Sequence, residues 1–238
     1  MLIAALASIN FLVGLDRPAG AIWDESDSLT AAQRYRDRTE QFASHPPLGM
    51  MLIAAGDVLM QPDRSKADAT ALARDPKIQG EHIPAGFDFS SMRVASGVFA
   101  VIGAVLFYAL MLRLTGRLVP ALLLSPLYVF DNAFIVAFRA AHLDAFQVAF
   151  LLAGLLCFVV SEQRGSRSSP WLELGMSGCL GLALMVKMNV LPFLLLPLML
   201  VARRLWLQRD RILPMRKYVS AIRDLCVSAL ACCSPAWR

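Results

Sequence analysis

The sequence predicts an all-α polytopic membrane protein. Of its 238 residues, 57% are hydrophobic and 17% are charged, whereas soluble domains have about half apolar and about a quarter charged residues. Several apolar runs approach the length of roughly 20 residues that crosses a bilayer as a helix. The net charge of +5 is small and comes from discrete loops. It therefore indicates membrane topology and argues against a nucleic-acid-binding surface.

The apolar runs predict six spans and the start of a seventh within one membrane domain, residues 1–238. The first span, residues 1–15, is followed by a polar stretch, residues 16–92, with twelve acids and eight bases. Inside this stretch, the patch PPLGMMLIAAGDVLM predicts an amphipathic helix in the membrane interface, with a short spanning helix as the alternative. The later spans are residues 93–112, 118–137, 140–160, 171–186 and 188–205, and residues 206–238 hold a basic loop and, from about residue 218, a seventh span that is cut short.

Basic residues predict which side of the membrane each loop faces. Pairs of arginines follow the second and fourth spans, and a basic cluster follows the sixth. Short loops with such an excess of Lys and Arg are typically cytoplasmic, so residues 16–92 are predicted to be extracytoplasmic. Interpreting residues 1–15 as a signal peptide, which lacks a basic start here, leaves that side unchanged. The basic residues are Arg113, Arg117, Arg164, Arg167, Arg203, Arg204, Arg209, Arg211, Arg216 and Lys217.

Five isolated ionisable residues lie at ends of the predicted spans. All of these ends face the same side of the membrane as the polar stretch, residues 16–92. Charges at membrane depth are costly and usually face a protein interior or a wet cavity. We therefore predict one polar cavity roofed by residues 16–92. The alternative is that each side chain reaches the interface separately. The five residues are Arg93, Asp131, Arg139, Asp144 and Lys187.

Several motifs follow one another along the chain. Trp-Asp-Glu comes after the first span, His-Pro-Pro-Leu opens the interfacial patch, and an arginine opens the second span; AFRAAHLDAF and GLALMVKMNVLPFLL come later. In this order and spacing, over about residues 10–200, the chain resembles the protein O-mannosyltransferase family. The resemblance implies the C-type membrane glycosyltransferase (GT-C) architecture. It also implies six to seven N-terminal transmembrane helices and a long outer loop that contains interfacial helices.

The chain departs from the family pattern in three places. Asp27 stands where the family usually has His, and Met50 stands where it usually has Lys after HPPLG. Family members also continue through further helices, so the ending CVSALACCSPAWR leads us to expect a C-terminal truncation. An inactive fragment of the enzyme is therefore one alternative.

The resemblance implies transfer of mannose, or a related sugar, from a polyprenyl-phosphate lipid carrier to Ser or Thr hydroxyls of translocated proteins. Such a hydroxyl is a poor nucleophile at neutral pH and needs a base within hydrogen-bond reach. By the family motif, Asp24 is the general base, and Glu25 orients the loop or binds acceptor or sugar hydroxyls. Without the resemblance, a solvated acidic turn or a helix cap is the simpler interpretation of both residues.

The departing phosphate needs cationic partners, and an Arg side chain can bind two of its oxygens. Arg139 is the first candidate, followed by Arg93 and Lys187. Each could instead be an interfacial anchor or belong to an internal ion pair, and Asp144 is predicted to hold Arg139 or a helix end. His45 either donates a hydrogen bond to acceptor or phosphate, or fixes a helix start before Pro-Pro. No cluster has metal-ligand spacing, so neither a metal nor another cofactor is expected, and His82 and His142 have no recognisable partner pattern.

Two other functions fit parts of the sequence. A lipid A or cell-wall glycan glycosyltransferase of the same architecture also carries an outer-loop Asp-Glu and a Pro-Pro-Leu motif. A transporter or non-enzymatic membrane subunit is expected to place charges along a path through the bilayer and to show repeated or broken helices, but the sequence has no internal repeat. The expected partners are a lipid-linked sugar donor, an acceptor protein or glycan, and membrane lipid, without nucleic acid.

Overall fold

The computed structural model describes residues 1–40, 43–61, 87–164 and 169–199, and residues 202, 203 and 206. Within these ranges every regular element is a helix, which confirms the predicted all-α class. The chain divides into two compact units, Met1–Leu194 and Leu195–Arg238. His82, most of the predicted basic loop and the predicted seventh span lie outside the described residues.

The described part of the first unit contains nine α-helices and a final 3-10 helix, Met188–Leu194. In the second unit, residues 195–199 are helical. The α-helices are α1 (Leu2–Leu12), α2 (Glu25–Asp37), α3 (Leu48–Met60), α4 (Ser90–Thr115), α5 (Leu118–Leu124), α6 (Pro126–Val129), α7 (Asn132–Arg139), α8 (Asp144–Arg164) and α9 (Pro170–Leu184).

Helix α4 is the centre of the first unit, because α1, α3, α5 and α8 all pack against it. Its buried face is rich in small residues, among them Gly97, Ala100, Gly103 and Ala104. Small side chains let helix backbones approach closely in a lipid environment, where no hydrophobic drive brings helices together. At Gly97 this approach involves the neighbouring backbone, because a β-carbon there would lie 2.8 Å from the backbone oxygen of Phe11 in α1.

Two helices in the described part of the chain, α4 and α8, are long and apolar enough to cross a membrane. The α5–α6 segment and α7 would add a third span if this bent pair crosses as one. Helices α1 and α3 are apolar but shorter. The predicted patch after His-Pro-Pro is helical, since it forms α3. Its location in the membrane interface and the number of six to seven spans stay predictions.

The segment predicted as a span at residues 118–137 is not one straight helix. Pro126 begins a new short helix, and the Asp131 carboxylate caps the next one, α7. The two halves are bent by 58°. Asn10 of α1 donates to the carbonyl of Val129 (2.5 Å), at a helix end where carbonyls have no partner within the helix.

The span predicted at residues 140–160 begins later than expected. Helix α8 starts at Asp144, because residues 140–143 form a turn that bonds to the outer segment. In this turn the Ala141 N–H donates to Oε1 of Glu25 (2.8 Å). The sixth predicted span, at residues 188–205, starts as a 3-10 helix that contains Pro192. Proline has no N–H to donate to the hydrogen-bond ladder of an α-helix.

A buried ion pair between Glu25 of α2 and Arg93 of α4 joins the outer segment to the central helix. The exposed fraction of the side chain is 0% for Glu25 and 1% for Arg93. Arg93 donates from Nε to Oε1 (2.6 Å) and from Nη2 to Oε2 (2.8 Å) of the carboxylate. Its remaining N–H groups bind the carbonyls of Leu15 (3.0 Å), Pro18 (2.9 Å) and Gly20 (2.6 Å). All five donors of the guanidinium are thereby used.

We expect Gly97→Ala to lower the free energy of unfolding by about 1–3 kcal/mol, because its new methyl group meets the rigid backbone of α1. The measurement is unfolding of the detergent-solubilised chain. Gly178→Ala is the matched control, since Gly178 is also helical and a β-carbon there has nothing within 4 Å. Equal stability of the two variants would show that α1 and α4 are not in close contact.

We expect Glu25→Gln to cost about 3–5 kcal/mol, because it leaves the buried Arg93 charge without its counter-charge. Asp16→Asn is the control, since Asp16 forms a solvent-exposed pair with Arg17 (3.7 Å) and such pairs contribute about 0–1 kcal/mol. The same unfolding measurement compares them. A Glu25→Gln variant as stable as Asp16→Asn would contradict the buried pair.

Candidate active site

The Trp-Asp-Glu motif forms a tight turn at the start of α2. The Glu25 N–H donates to the Ile22 carbonyl (2.9 Å), and the Ile22 N–H donates to Oε2 of Glu25 (2.9 Å). Trp23 has φ 50°, and Asp24 has φ −74° and ψ 7°, which are the values of a type II′ turn. The turn directs the Glu25 carboxylate inward to Arg93 and leaves Asp24 exposed to solvent.

A cavity of about 770 Å³ opens beside this turn. Its walls come from the turn itself, one face of α2, the segment before α3, the start of α7, the turn before α8 and Lys187, which follows α9. The polar or ionisable residues that line it are Asp24, Asp27, Ser28, Thr30, Arg34, Ser44, His45, Asn132, His142, Asp144 and Lys187.

The structure brings some of the predicted site residues together in this cavity and separates others from it. Asp24, His45, Asp144 and Lys187 line the cavity. Glu25, Arg93, Arg139 and Asp131 are not among its lining residues. The hypothesis of one shared polar cavity therefore holds for part of the predicted set. No group of three or more His, Cys, Asp or Glu residues in the described ranges is placed to hold a metal ion.

The contacts of Arg93 and Glu25 differ from those that phosphate binding and hydroxyl binding would require. Arg93 has no free N–H for a phosphate, because Glu25 and three carbonyls accept from all of them. Glu25 is fully buried and also accepts from the Ala141 N–H. It therefore does not reach acceptor or sugar hydroxyls in this geometry. Of its two predicted roles, orienting the loop is the one that the contacts support.

Arg139 closes the end of α1 and does not face the cavity. Its Nη1 donates to the carbonyl of Asn10 (2.9 Å) and its Nη2 to that of Gly14 (2.7 Å). The predicted Arg139–Asp144 pair does not form, because Asp144 instead accepts from Nζ of Lys187 (2.6 Å). The sequence alone is compatible with a pair between Asp144 and either Arg139 or Lys187. In the structure Asp144, at the start of α8, lies beside Lys187.

Lys187 and His142 complete the wall opposite α2. The Lys187–Asp144 pair is partly open to solvent, with exposed side-chain fractions of 21% and 35%. Nε2 of His142 lies 3.0 Å from the carbonyl of Ile22, and its Nδ1 lies 4.0 Å from Asp144 Oδ2. His142 therefore ties the turn that carries Asp24 to the turn that begins α8.

Arg34 is a cavity cation that the sequence reasoning missed. Asp27, Ala31 and Arg34 are spaced by four and three residues, which puts them on one face of α2, and all three line the cavity. Among the described residues, the side chains of Asp24 and Arg34 have no hydrogen-bond or ion-pair partner. The helical spacing from the acidic motif was a signal that could have pointed to Arg34.

The His-Pro-Pro-Leu segment starts α3 and also contributes to the cavity. Helix α3 begins at Leu48, directly after the two prolines, and the Leu48 N–H donates to the carbonyl of Met185 (3.2 Å). His45 is exposed and lines the cavity, so both of its predicted roles are compatible with its position. Met50 is buried among apolar side chains of α2 and α3.

Comparisons with known proteins identify a family and several proteins to which this chain is similar. The family model described as dolichyl-phosphate-mannose-protein mannosyltransferase matches residues 1–233. Protein O-mannosyl-transferase 2 of Danio rerio is 28% identical over 196 residues, which is 81% of this chain and 25% of that protein. The S. cerevisiae protein O-mannosyltransferase Pmt1-Pmt2 complex bound to the sugar donor matches with a TM-score of 0.73 and 24% identity, covering 86% of this chain and 27% of that chain.

The chain thus spans about a quarter of the length of both relatives. The structural match confirms the GT-C fold, and the family match together with the apolar helices shows an integral membrane protein. The chain belongs to the dolichyl-phosphate-mannose-protein mannosyltransferase family.

Proposed function

We propose that this chain forms the base-bearing part of a glycosyltransferase that moves mannose, or a related sugar, from a polyprenyl-phosphate carrier to Ser or Thr hydroxyls of translocated proteins. The observation that carries the proposal is the contrast between the two adjacent acids. Glu25 is locked to Arg93, while the Asp24 carboxylate is unpaired among the described residues and faces the cavity. Family membership supports the reaction class.

In the proposed reaction Asp24 is the general base. As the acceptor oxygen bonds to the anomeric carbon, its proton passes to the Asp24 carboxylate, and the bond from the sugar to the phosphate oxygen breaks. A positioned base of this kind contributes about 10²–10⁴-fold to the rate. The Glu25–Arg93 pair serves the reaction by fixing the turn, so that Asp24 is held at the cavity wall.

The polyprenyl phosphate that leaves carries the electron pair of the broken bond, and preorganised cations stabilise this charge. Arg34 and Lys187 are the cationic side chains that line the cavity, with His45 as a further hydrogen-bond donor. We assign Arg34 the larger share, because Lys187 is already paired with Asp144. Arg139 and Arg93 take no part, since their donors bind backbone carbonyls and Glu25.

The proposal sets the cavity on the extracytoplasmic side of the membrane. The basic residues after α4 and α8 favour a cytoplasmic location for those loops, and the cavity is formed at the opposite ends of these two helices. A lipid-linked donor can then reach the cavity from the bilayer, and a translocated protein can reach it from outside.

We expect Asp24→Asn to lower the rate of mannose transfer by about 10²–10⁴-fold while donor affinity is kept, because the amide cannot accept the acceptor's proton. Transfer is measured in membranes that contain the chain, with labelled polyprenyl-phosphate-mannose and a Ser/Thr peptide. Donor binding is measured separately, since the chain spans about a quarter of its relatives. Asp16→Asn, exposed and outside the cavity, is the control.

An Asp24→Asn rate equal to that of Asp16→Asn would remove Asp24 as the base. Labelling of lipid A or of a glycan in place of the peptide would keep the chemistry and change the acceptor. A chain that binds the donor in membranes without any transfer would limit the proposal to a donor-binding part of the enzyme.

We expect Arg34→Gln to weaken binding of both polyprenyl-phosphate-mannose and polyprenyl phosphate by about tenfold to a hundredfold, which is the loss of a charged hydrogen bond of about 1.5–3 kcal/mol. Arg38→Gln is the matched control, because Arg38 ends the same helix, is exposed and does not line the cavity. If both variants bind the two lipids equally well, Arg34 does not contact the phosphate.

A further inference from the structure

Trp23 combines two features that are each unusual. Its φ is 50°, and a positive φ in a bulky residue is a genuine outlier of backbone geometry. Its side chain is 87% exposed, although it lines the cavity beside Asp24. The first central position of a type II′ turn, which Trp23 occupies, normally holds Gly, which adopts positive φ without steric cost. A tryptophan there is tolerated only because its surroundings fix the turn.

The surroundings do fix the turn on both sides of Trp23. Glu25 bonds to the Ile22 N–H through its carboxylate and to the Ile22 carbonyl through its own N–H. His142 approaches the same carbonyl from the α8 side, and Arg93 holds the Glu25 carboxylate in place. None of these contacts involves the indole, so they hold the backbone and leave the ring free at the cavity.

We propose that the Trp23 indole is the platform on which the apolar face of the transferred sugar stacks, next to Asp24. This inference rests on the proposed function, because it assigns the sugar of that donor to one wall of the cavity. The C–H groups of a hexose carry partial positive charge, and the face of an aromatic ring carries partial negative charge. A flat indole on a fixed backbone therefore binds the sugar and orients its anomeric carbon relative to the base.

The platform also acts during the reaction. As the sugar–phosphate bond breaks, positive charge develops on the sugar ring, as in other glycosyl transfers that pass through oxocarbenium-like states. An indole face within reach of this charge is attracted to it more strongly than to the neutral sugar. Trp23 forms and breaks no bond; it orients the sugar and stabilises charge beside Asp24. A membrane-interface anchor, another common role for tryptophan, gives different outcomes in the tests below.

The first test compares three substitutions in donor-binding assays. We expect Trp23→Phe to bind polyprenyl-phosphate-mannose nearly as well as the unsubstituted chain, and Trp23→Leu and Trp23→Gly to bind it about tenfold more weakly. Trp23→Gly separates binding from folding, since it removes the positive-φ strain and should keep or raise the Tm. Affinity for polyprenyl phosphate without sugar should be the same in all forms. Equal affinity for the mannosylated donor in Trp23→Leu and the unsubstituted chain overturns the platform.

The second test follows the indole directly. The chain has four tryptophans, so replacing Trp171, Trp206 and Trp237 with Phe leaves Trp23 as the only fluorophore of its type. We expect its emission to change with polyprenyl-phosphate-mannose and not with polyprenyl phosphate, and to be insensitive to brominated lipids. Quenching by brominated lipids that is the same with and without donor identifies a membrane anchor and overturns the proposal. If the unsubstituted chain binds no mannosylated donor, the proposed function itself is wrong, which separates that failure from failure of the platform alone.

Discussion

The buried pair of Glu25 and Arg93 is the interaction on which the geometry of the site depends. Taking two charges out of water is expensive, and their attraction repays this only when every remaining polar group is satisfied. Here five N–H groups of Arg93 and two backbone N–H groups that bind Glu25 meet this condition. The pair therefore joins α2, α4 and the turn before α8, and removing either partner would leave a buried charge unpaired.

Because only Glu25 pairs with Arg93, the adjacent carboxylates of Asp24 and Glu25 lie in different environments. Glu25 accepts hydrogen bonds from three parts of the chain and is sealed from solvent, so in the proposed reaction it is a positioning residue. Asp24 occupies the preceding position in the same tight turn and lines the cavity. Because the turn is closed at Ile22 by both the backbone and the side chain of Glu25, the buried acid holds the exposed acid in place.

The sequence was sufficient to predict the all-α class, which follows from composition, and the family, which follows from the order and spacing of its motifs. Its ranking of the cations, with Arg139 first, does not match the contacts that these side chains make. Arg93, Arg139 and Lys187 all lie at span ends, and what separates them is which carbonyls or carboxylates lie within about 3 Å, a property of tertiary packing. The bend near Asp131 was missed for a related reason, since proline is tolerated in membrane helices and does not by itself predict a break.

Two of the departures from the family pattern, Asp27 and Met50, change the charge of the cavity without disturbing the buried pair. Where the pattern has Lys, Met50 is packed into an apolar cluster, and where it has His, Asp27 adds a carboxylate to the cavity wall. With His neutral, these changes remove one positive charge and add one negative charge. In the proposed reaction the donor phosphate thus meets more repulsion in this cavity, so the cations that line it supply proportionately more of the attraction. Arg34, two helical turns from Asp27 on the same face of α2, is the side chain placed to do so.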